Sequence, residues 1–140
     1  MRGLMNNIHT LVALAPVVVV DNTAQVSAII DLQGYDSCTF AILAGVLADV
    51  DATFAVTMDH GNVSNLSDAA AVTAADLNGT LALAGFTFAD DNETRKIGYV
   101  GIRRYVRLTI TGTNNAGNAP LAVLAILGHP RIAPTANPPQ

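Results

Sequence analysis

Along most of the chain apolar and polar side chains alternate with a period of two, in short runs rich in β-branched residues rather than in the longer 3.6-period stripes of helices. Residues 53–60 show this cleanly, with Phe54, Val56 and Met58 facing one way and Thr53, Ala55, Thr57 and Asp59 the other. Residues 105–111 repeat it, Val106, Leu108 and Ile110 opposing Tyr105, Arg107, Thr109 and Thr111. Further strands are expected over the β-branched run 17–20, over 24–31 and over 95–102, with turn chemistry at 34–37. Residues 38–47 are apolar at nearly every position, which predicts a strand covered on both faces. In residues 80–89 the apolar parity switches from Leu81 and Leu83 to Phe86 and Phe88, so a strand with a bulge or bend at Gly85 is expected. The loop 112–117, with Asn114 and Asn115, is expected to close a hairpin between the strand at 105–111 and one at 120–127. Residues 64–77 depart from the pattern: they are rich in alanine, with Ser67 or Asp68 available as a cap, and predict a short helix or an irregular connection.

About eight short strands with at most one short helix define an all-β chain. The expected architecture is an antiparallel β-sandwich, with a jelly roll as the leading topology because eight strands in two packed sheets hide most edges. The chain of 140 residues is enough for one core. It divides into a single sandwich domain over 1–132, with an extended N-terminal segment, and a proline-rich tail over 133–140. Composition adds a constraint, since 51% of residues are apolar and only 13% charged. Outward strand positions are accordingly Ala, Thr or Gly more often than Lys or Glu, and a sandwich surfaced in this way invites association. Its longest apolar run, residues 11–20, is half the length of a spanning helix and contains Pro16, so no membrane partner is expected. No small-x-small cleavage site follows that run, which reads as part of the mature chain. The four Asn-x-Ser/Thr sequons, at Asn62, Asn65, Asn78 and Asn92, read as polar loop composition.

Charge is divided along the chain. Residues 1–93 hold all 11 acids and the single base Arg2, whereas residues 94–140 hold six bases and no acid. Five of those bases, Arg95, Lys96, Arg103, Arg104 and Arg107, lie close together. One reading makes them internal counter-charges for the acid-rich remainder of the domain. The other makes them a protein-binding face, since guanidinium groups bind carboxylates in multidentate fashion and are favoured at interfaces. Nucleic acid is not expected as a partner: the sequence pI is about 5.0, and Tyr99 and Tyr105 are too few to build a stacking platform. Catalytic constellations are missing. Cys38, alone and in the middle of a strand, suits a buried small hydrophobe better than a nucleophile, and it excludes an intrachain disulfide. The three histidines show no paired ligand spacing beyond Asp59-His60, and Asp49 with Asp51 lacks an EF-hand context, so neither a metal nor a cofactor is expected. No phosphate-binding glycine loop occurs in a strand-turn-helix setting. The chain is expected not to be an enzyme.

The run Arg103-Arg104-Tyr105-Val106-Arg107-Leu108-Thr109-Ile110-Thr111, an Asn/Gly turn, an apolar strand, and Leu127-Gly128-His129-Pro130-Arg131 before a proline-rich end together resemble the C-terminal half of small phage head proteins. The similarity is to the head cementing (decoration) proteins of tailed bacteriophages, most of all that of a Bordetella phage. It implies a jelly-roll protein of the virion, made in the host bacterial cytoplasm, that binds the outside of the capsid and bridges neighbouring capsomers. The implied partners are the major capsid protein and the chain itself, as a homodimer in preference to a trimer, with Arg103, Arg104, Arg107 and Arg131 as candidate interface residues. A receptor- or carbohydrate-binding sandwich of a phage virion is the alternative, although a chain with no Trp and three Tyr is poorly equipped to stack on sugars.

Overall fold

The computed structural model describes residues 3–139. Its strands are β1 (Ile8–Val19), β2 (Gln25–Val26), β3 (Ile30–Asp31), β4 (Tyr35–Ala44), β5 (Thr53–Gly61), β6 (Ala70–Ala71), β7 (Leu77–Asn78), β8 (Phe86–Thr87), β9 (Thr94–Tyr99), β10 (Tyr105–Thr113) and β11 (Ala119–Pro130), with one four-residue helix, α1 (Leu81–Ala84). They form two antiparallel sheets, one ordered β1-β11-β4-β9-β7 and the other β2-β10-β5-β6, with β3 also on β10 and β8 also on β5. Because β2 and β3 share one partner, and β6 and β8 another, each pair behaves as a single interrupted strand. Counted so, and with the short β7 set aside, the sandwich has eight strands, ordered first, eighth, third, sixth in one sheet and second, seventh, fourth, fifth in the other. That order is a jelly roll, as the sequence predicts.

The alternation of β5 and β10 is realised in full. Phe54, Val56 and Met58 meet Val106, Leu108 and Ile110 in the interior, and Cys38, Phe40 and Ile42 of β4 with Leu121, Val123, Ala125 and Leu127 of β11 close the core from the other sheet. Elsewhere tertiary context overrides the local pattern. Residues 24–31 do not form one strand: buried Ser27 stands between β2 and β3, its hydroxyl oxygen accepting the Leu108 N–H while its own N–H donates to the Leu108 carbonyl, and Ala28 turns away to the Ala13 carbonyl of β1. The 38–47 run is covered on one face only. Cys38, Phe40 and Ile42 point inward, while Leu43 is exposed and the outward Thr39 and Ala41 are only half-buried.

Residues 80–89 begin with a helix rather than a strand. Thr80 caps it by accepting the Leu83 N–H, and Gly85 ends it where an added Cβ would lie 2.9 Å from the Phe54 carbonyl oxygen. The parity switch therefore marks a helix-to-strand junction, after which Phe86 stacks on Phe54 with ring centroids 4.9 Å apart. The loop after β10 is not a hairpin, since β10 and β11 belong to different sheets. Asn115, buried in that crossing, is pinned to the end of β1: its backbone N–H donates to the Asn22 side chain and its amide to the Asp21 carbonyl. Residues 64–77 form no α-helix but an irregular connection interrupted by the short β6 and by one 3-10 turn at Ala74–Asp76, and Asp68 within it accepts the N–H groups of Asn62 and Val63. The tail folds back on the chain start, Thr135 donating its N–H to the Asn6 carbonyl and its hydroxyl to that of Ile8.

Candidate functional site

Arg103 and Arg104 sit in the short connection between β9 and β10, and Arg131 follows directly after β11, so all three reach the same end of the sandwich. Together with the turn into β4 they line a groove of about 460 Å³. Arg107 is not part of it. Two residues into β10's alternating pattern from Tyr105, it lies on the outer face of the other sheet, opposite its cross-strand neighbour Asp59, with Nη2 to Oδ2 3.3 Å apart.

The groove is built on a rigid support. The Tyr99 hydroxyl, at the end of β9, accepts the Arg103 N–H at 3.0 Å and lies 2.9 Å from Nδ1 of buried His60. Gly101 lets the chain pass across that ring: an added Cβ would lie 2.6 Å from Tyr99 Cζ. Desolvation raises the Tyr99 hydroxyl above its ordinary pKa, which keeps it a neutral donor and acceptor. Further backbone bonds run from Leu32 N–H to the Arg104 carbonyl, from Arg131 N–H to the Gly34 carbonyl and from Val100 N–H to the Asp76 carbonyl. The arginines differ in engagement. Arg104 makes a bidentate pair with Asp31 at 2.8 and 2.7 Å and lies 5.0 Å over the Tyr105 ring, and its hydrogen bonds hold the Asp31 carboxyl below its usual pKa. Arg131 reaches Asp36 at 3.4 Å across open solvent, and Arg103 has no ion pair among the described residues. Beside them Ile102 is 97% exposed.

The acid-rich part of the chain thus neutralises most of the C-terminal bases within the domain, since Arg95 likewise pairs with Asp90 and Glu93. Asp49 accepts the N–H groups of Asp51 and Ala116 and serves as a loop clasp. Asp59 and His60, adjacent in β5, face opposite sides of the sheet. Among the described residues no cluster of three or more His, Cys, Asp or Glu side chains could hold a metal ion. Cys38 borders the groove but is buried, its thiol pushed up to about 12 by desolvation and hence protonated at neutral pH.

A second surface feature lies on the flank. On the outside of the β1-β11-β4-β9 sheet, register places Val12, Leu124, Ala41 and Lys96 in one row and Thr10, Ile126, Thr39 and Gly98 in the next, with Ala122 beside Leu43 and Val18 beside Pro120. Lys96 is the single charge on this face among the described residues. The opposite sheet presents Thr53, Thr57, Thr109, Thr111 and Thr113 around the Arg107–Asp59 pair, an ordinary solvated surface. Sequence reasoning anticipated uncharged strand faces without saying which sheet bears them. It placed turn chemistry at 34–37 without marking that turn as a groove wall, a role for which Gly34, at positive φ, is the local signature.

No protein-family model and no curated protein sequence matches this chain. Solved structures align with it at low similarity. The Clostridium thermocellum xylanase 10B CBM22-1–GH10 modules, complexed with xylohexaose, align over 95% of this chain with 12% identity and a TM-score of 0.47. A chain from infectious bursal disease virus Gx strain aligns over 87% with 12% identity and a TM-score of 0.46. This chain spans 28% and 32% of the lengths of those two. The xylan-binding module CBM15 aligns over 94% of this chain and 96% of its own, with 10% identity and a TM-score of 0.42. With likenesses this distant, what those proteins bind says nothing of this chain, and the class defined by the coordinates is an antiparallel jelly-roll β-sandwich.

Proposed function

We propose that this protein is a structural component of a bacteriophage virion, binding the outer surface of the capsid and cementing neighbouring capsomers without catalysing a reaction. The observation that supports this reading is the apolar outer face of the β1-β11-β4-β9 sheet, because an exposed sheet face with one lysine among the described residues is surface made to be covered. With strands about 4.8 Å apart rising about 3.3 Å per residue, its footprint is roughly 500–600 Å². Two such faces together approach the roughly 1,200 Å² at which specific interfaces begin. In this reading the face joins two copies into a homodimer, leaving each copy's arginine groove free for the major capsid protein. A dimer bridging two capsomers holds each by a modest contact, yet occupies the shell strongly, because the second contact is intramolecular once the first is made. Jelly rolls also serve as lectin domains, but here the exposed aromatic surface needed for sugar stacking is scarce, with Tyr99 buried and no Trp in the chain.

The test is addition of purified protein to undecorated, expanded heads. It is expected to bind at a saturating stoichiometry and to raise the resistance of the heads to heat and chaotrope. Absence of both effects would overturn the proposal, and glycan-array binding without head binding would favour the carbohydrate alternative.

A further inference from the structure

We infer that the groove at the end of the sandwich is a receptor for an extended, carboxylate-bearing peptide segment, with Arg103 as its principal anchor and Ile102 as its apolar contact. The inference names the chemistry of the partner segment and rests on the proposed docking role only for where that segment resides.

Three arginines from two separate stretches of chain border one groove, with the Arg104 guanidinium turned toward Asp31 and the Tyr105 ring and those of Arg103 and Arg131 less engaged. Arg104 commits two of its five N–H donors to Asp31, Arg131 makes one long contact to Asp36, and Arg103 is without an ion pair among the described residues. The loop that bears Arg103 is nevertheless held from several directions, by Tyr99, by the Gly101 passage over its ring and by the Val100 N–H to Asp76. An exposed arginine on a preorganised support loses little freedom on binding a ligand, which is the circumstance in which a charged contact adds affinity. Ile102, at the loop tip, supplies the apolar element that a purely ionic surface lacks. A volume of about 460 Å³ accommodates a few side chains of an extended strand rather than a globular domain.

Carboxylate is favoured over phosphate by the local balance of charge. Asp31 and Asp36 pair with two of the three arginines and Asp68 lies near enough to Arg103 for that guanidinium to help lower its carboxyl, so the groove is close to charge balance, unlike the unpaired basic stripe that nucleic acid requires. The formal net charge of −4 also repels a polyanion at long range, while a short segment with two or three carboxylates meets mainly the local arginines.

Fluorescence anisotropy with a fluorescein-labelled, capped hexapeptide alternating Glu and Leu tests this directly. Saturable binding is expected, weakening as NaCl rises from about 50 mM to about 500 mM. Arg103→Glu is expected to weaken it about tenfold and Ile102→Ser several-fold, with Thr57→Glu on the far sheet as the control. Both loop residues are exposed, and an unchanged melting midpoint confirms that each variant is folded. Binding that is equal in Arg103→Glu and wild type, no binding at low salt, or tighter binding of a labelled ten-nucleotide oligo(dT) each overturns the inference. Its fate is separable from the docking role. Heads decorated by a protein that ignores the peptide refute the groove alone, and peptide binding without head decoration refutes the capsid reading alone.

Discussion

Tyr99 illustrates how much one polar atom can organise. Its hydroxyl links the inward side chain of β5, through His60, to the backbone of the arginine loop, and the residue itself is 2% exposed. In Tyr99→Phe the Arg103 N–H and His60 Nδ1 both lose their partner, which costs about 1–3 kcal/mol. A fall of roughly 3–10 °C in the melting midpoint is expected by circular dichroism, and no fall would show that water replaces the hydroxyl freely. Single carboxylates matter in a related way. Backbone N–H bonds hold Asp21, Asp49, Asp68 and Asp90 below the ordinary carboxylate pKa, and Arg104 does the same for Asp31. A depressed folded-state value means that the unfolded chain binds protons first as pH falls. The stabilisation is therefore complete above the ordinary range and lost as pH drops through the folded values. The melting midpoint should stay level from about pH 8 to about pH 5 and decline below about pH 4. A midpoint insensitive to acid would mean that these loop clasps are open in solution.

At the scale of elements, the sequence is most legible where a strand has one wet and one dry face. The period of two in β5 and β10 could not be satisfied by a helix, and both form as expected. It is least legible where the deciding partner is far away. The hairpin expected at 112–117 fails because sheet membership is a property of the whole topology, and Asn-rich turns serve a crossing between sheets as well as a hairpin. The strand expected over 80–89 fails because Thr80 and Gly85 define a helix start and stop that outweigh a weak alternation. The candidate site is half legible for the same reason. Arg103 and Arg104 stand out by their density, whereas Arg107, close in sequence, is carried to another face once β10 begins. The tail is an element whose role can be separated from the fold. Its hydrogen bonds from Thr135 cover the start of β1, an edge strand otherwise interrupted by Pro16 and by register shifts. Deleting residues from 133 onward is expected to weaken head binding more than it lowers the melting midpoint. Equal loss of both would show that the tail is integral to the domain.

For the whole molecule, the distribution of charge acquires a spatial meaning. Bases from the last third of the chain and acids from the first two thirds meet in ion pairs across strands and loops, so the linear division mostly disappears on folding. What remains is a polar sheet, an apolar sheet and an end groove in which Arg103 has no ion pair among the described residues. Placing a charge in the apolar sheet separates folding from association. Leu124→Lys, outward-facing and partly exposed, should change stability by less than about 0.5 kcal/mol. In sedimentation equilibrium it should shift the protein toward monomer. An unchanged oligomeric state would remove this face from the self-association proposed above.

The position of β11 between β1 and β4 has a consequence for synthesis. The strand that completes the middle of one sheet is made about a hundred residues after the edge strand that flanks it. Until it arrives, β1 and β4 have no common neighbour, and their inward apolar residues face an open slot. The nascent chain therefore cannot close this sheet in stages, and folding waits until β11 has emerged, a non-local route that is slow and leaves aggregation-prone surface in need of shielding meanwhile.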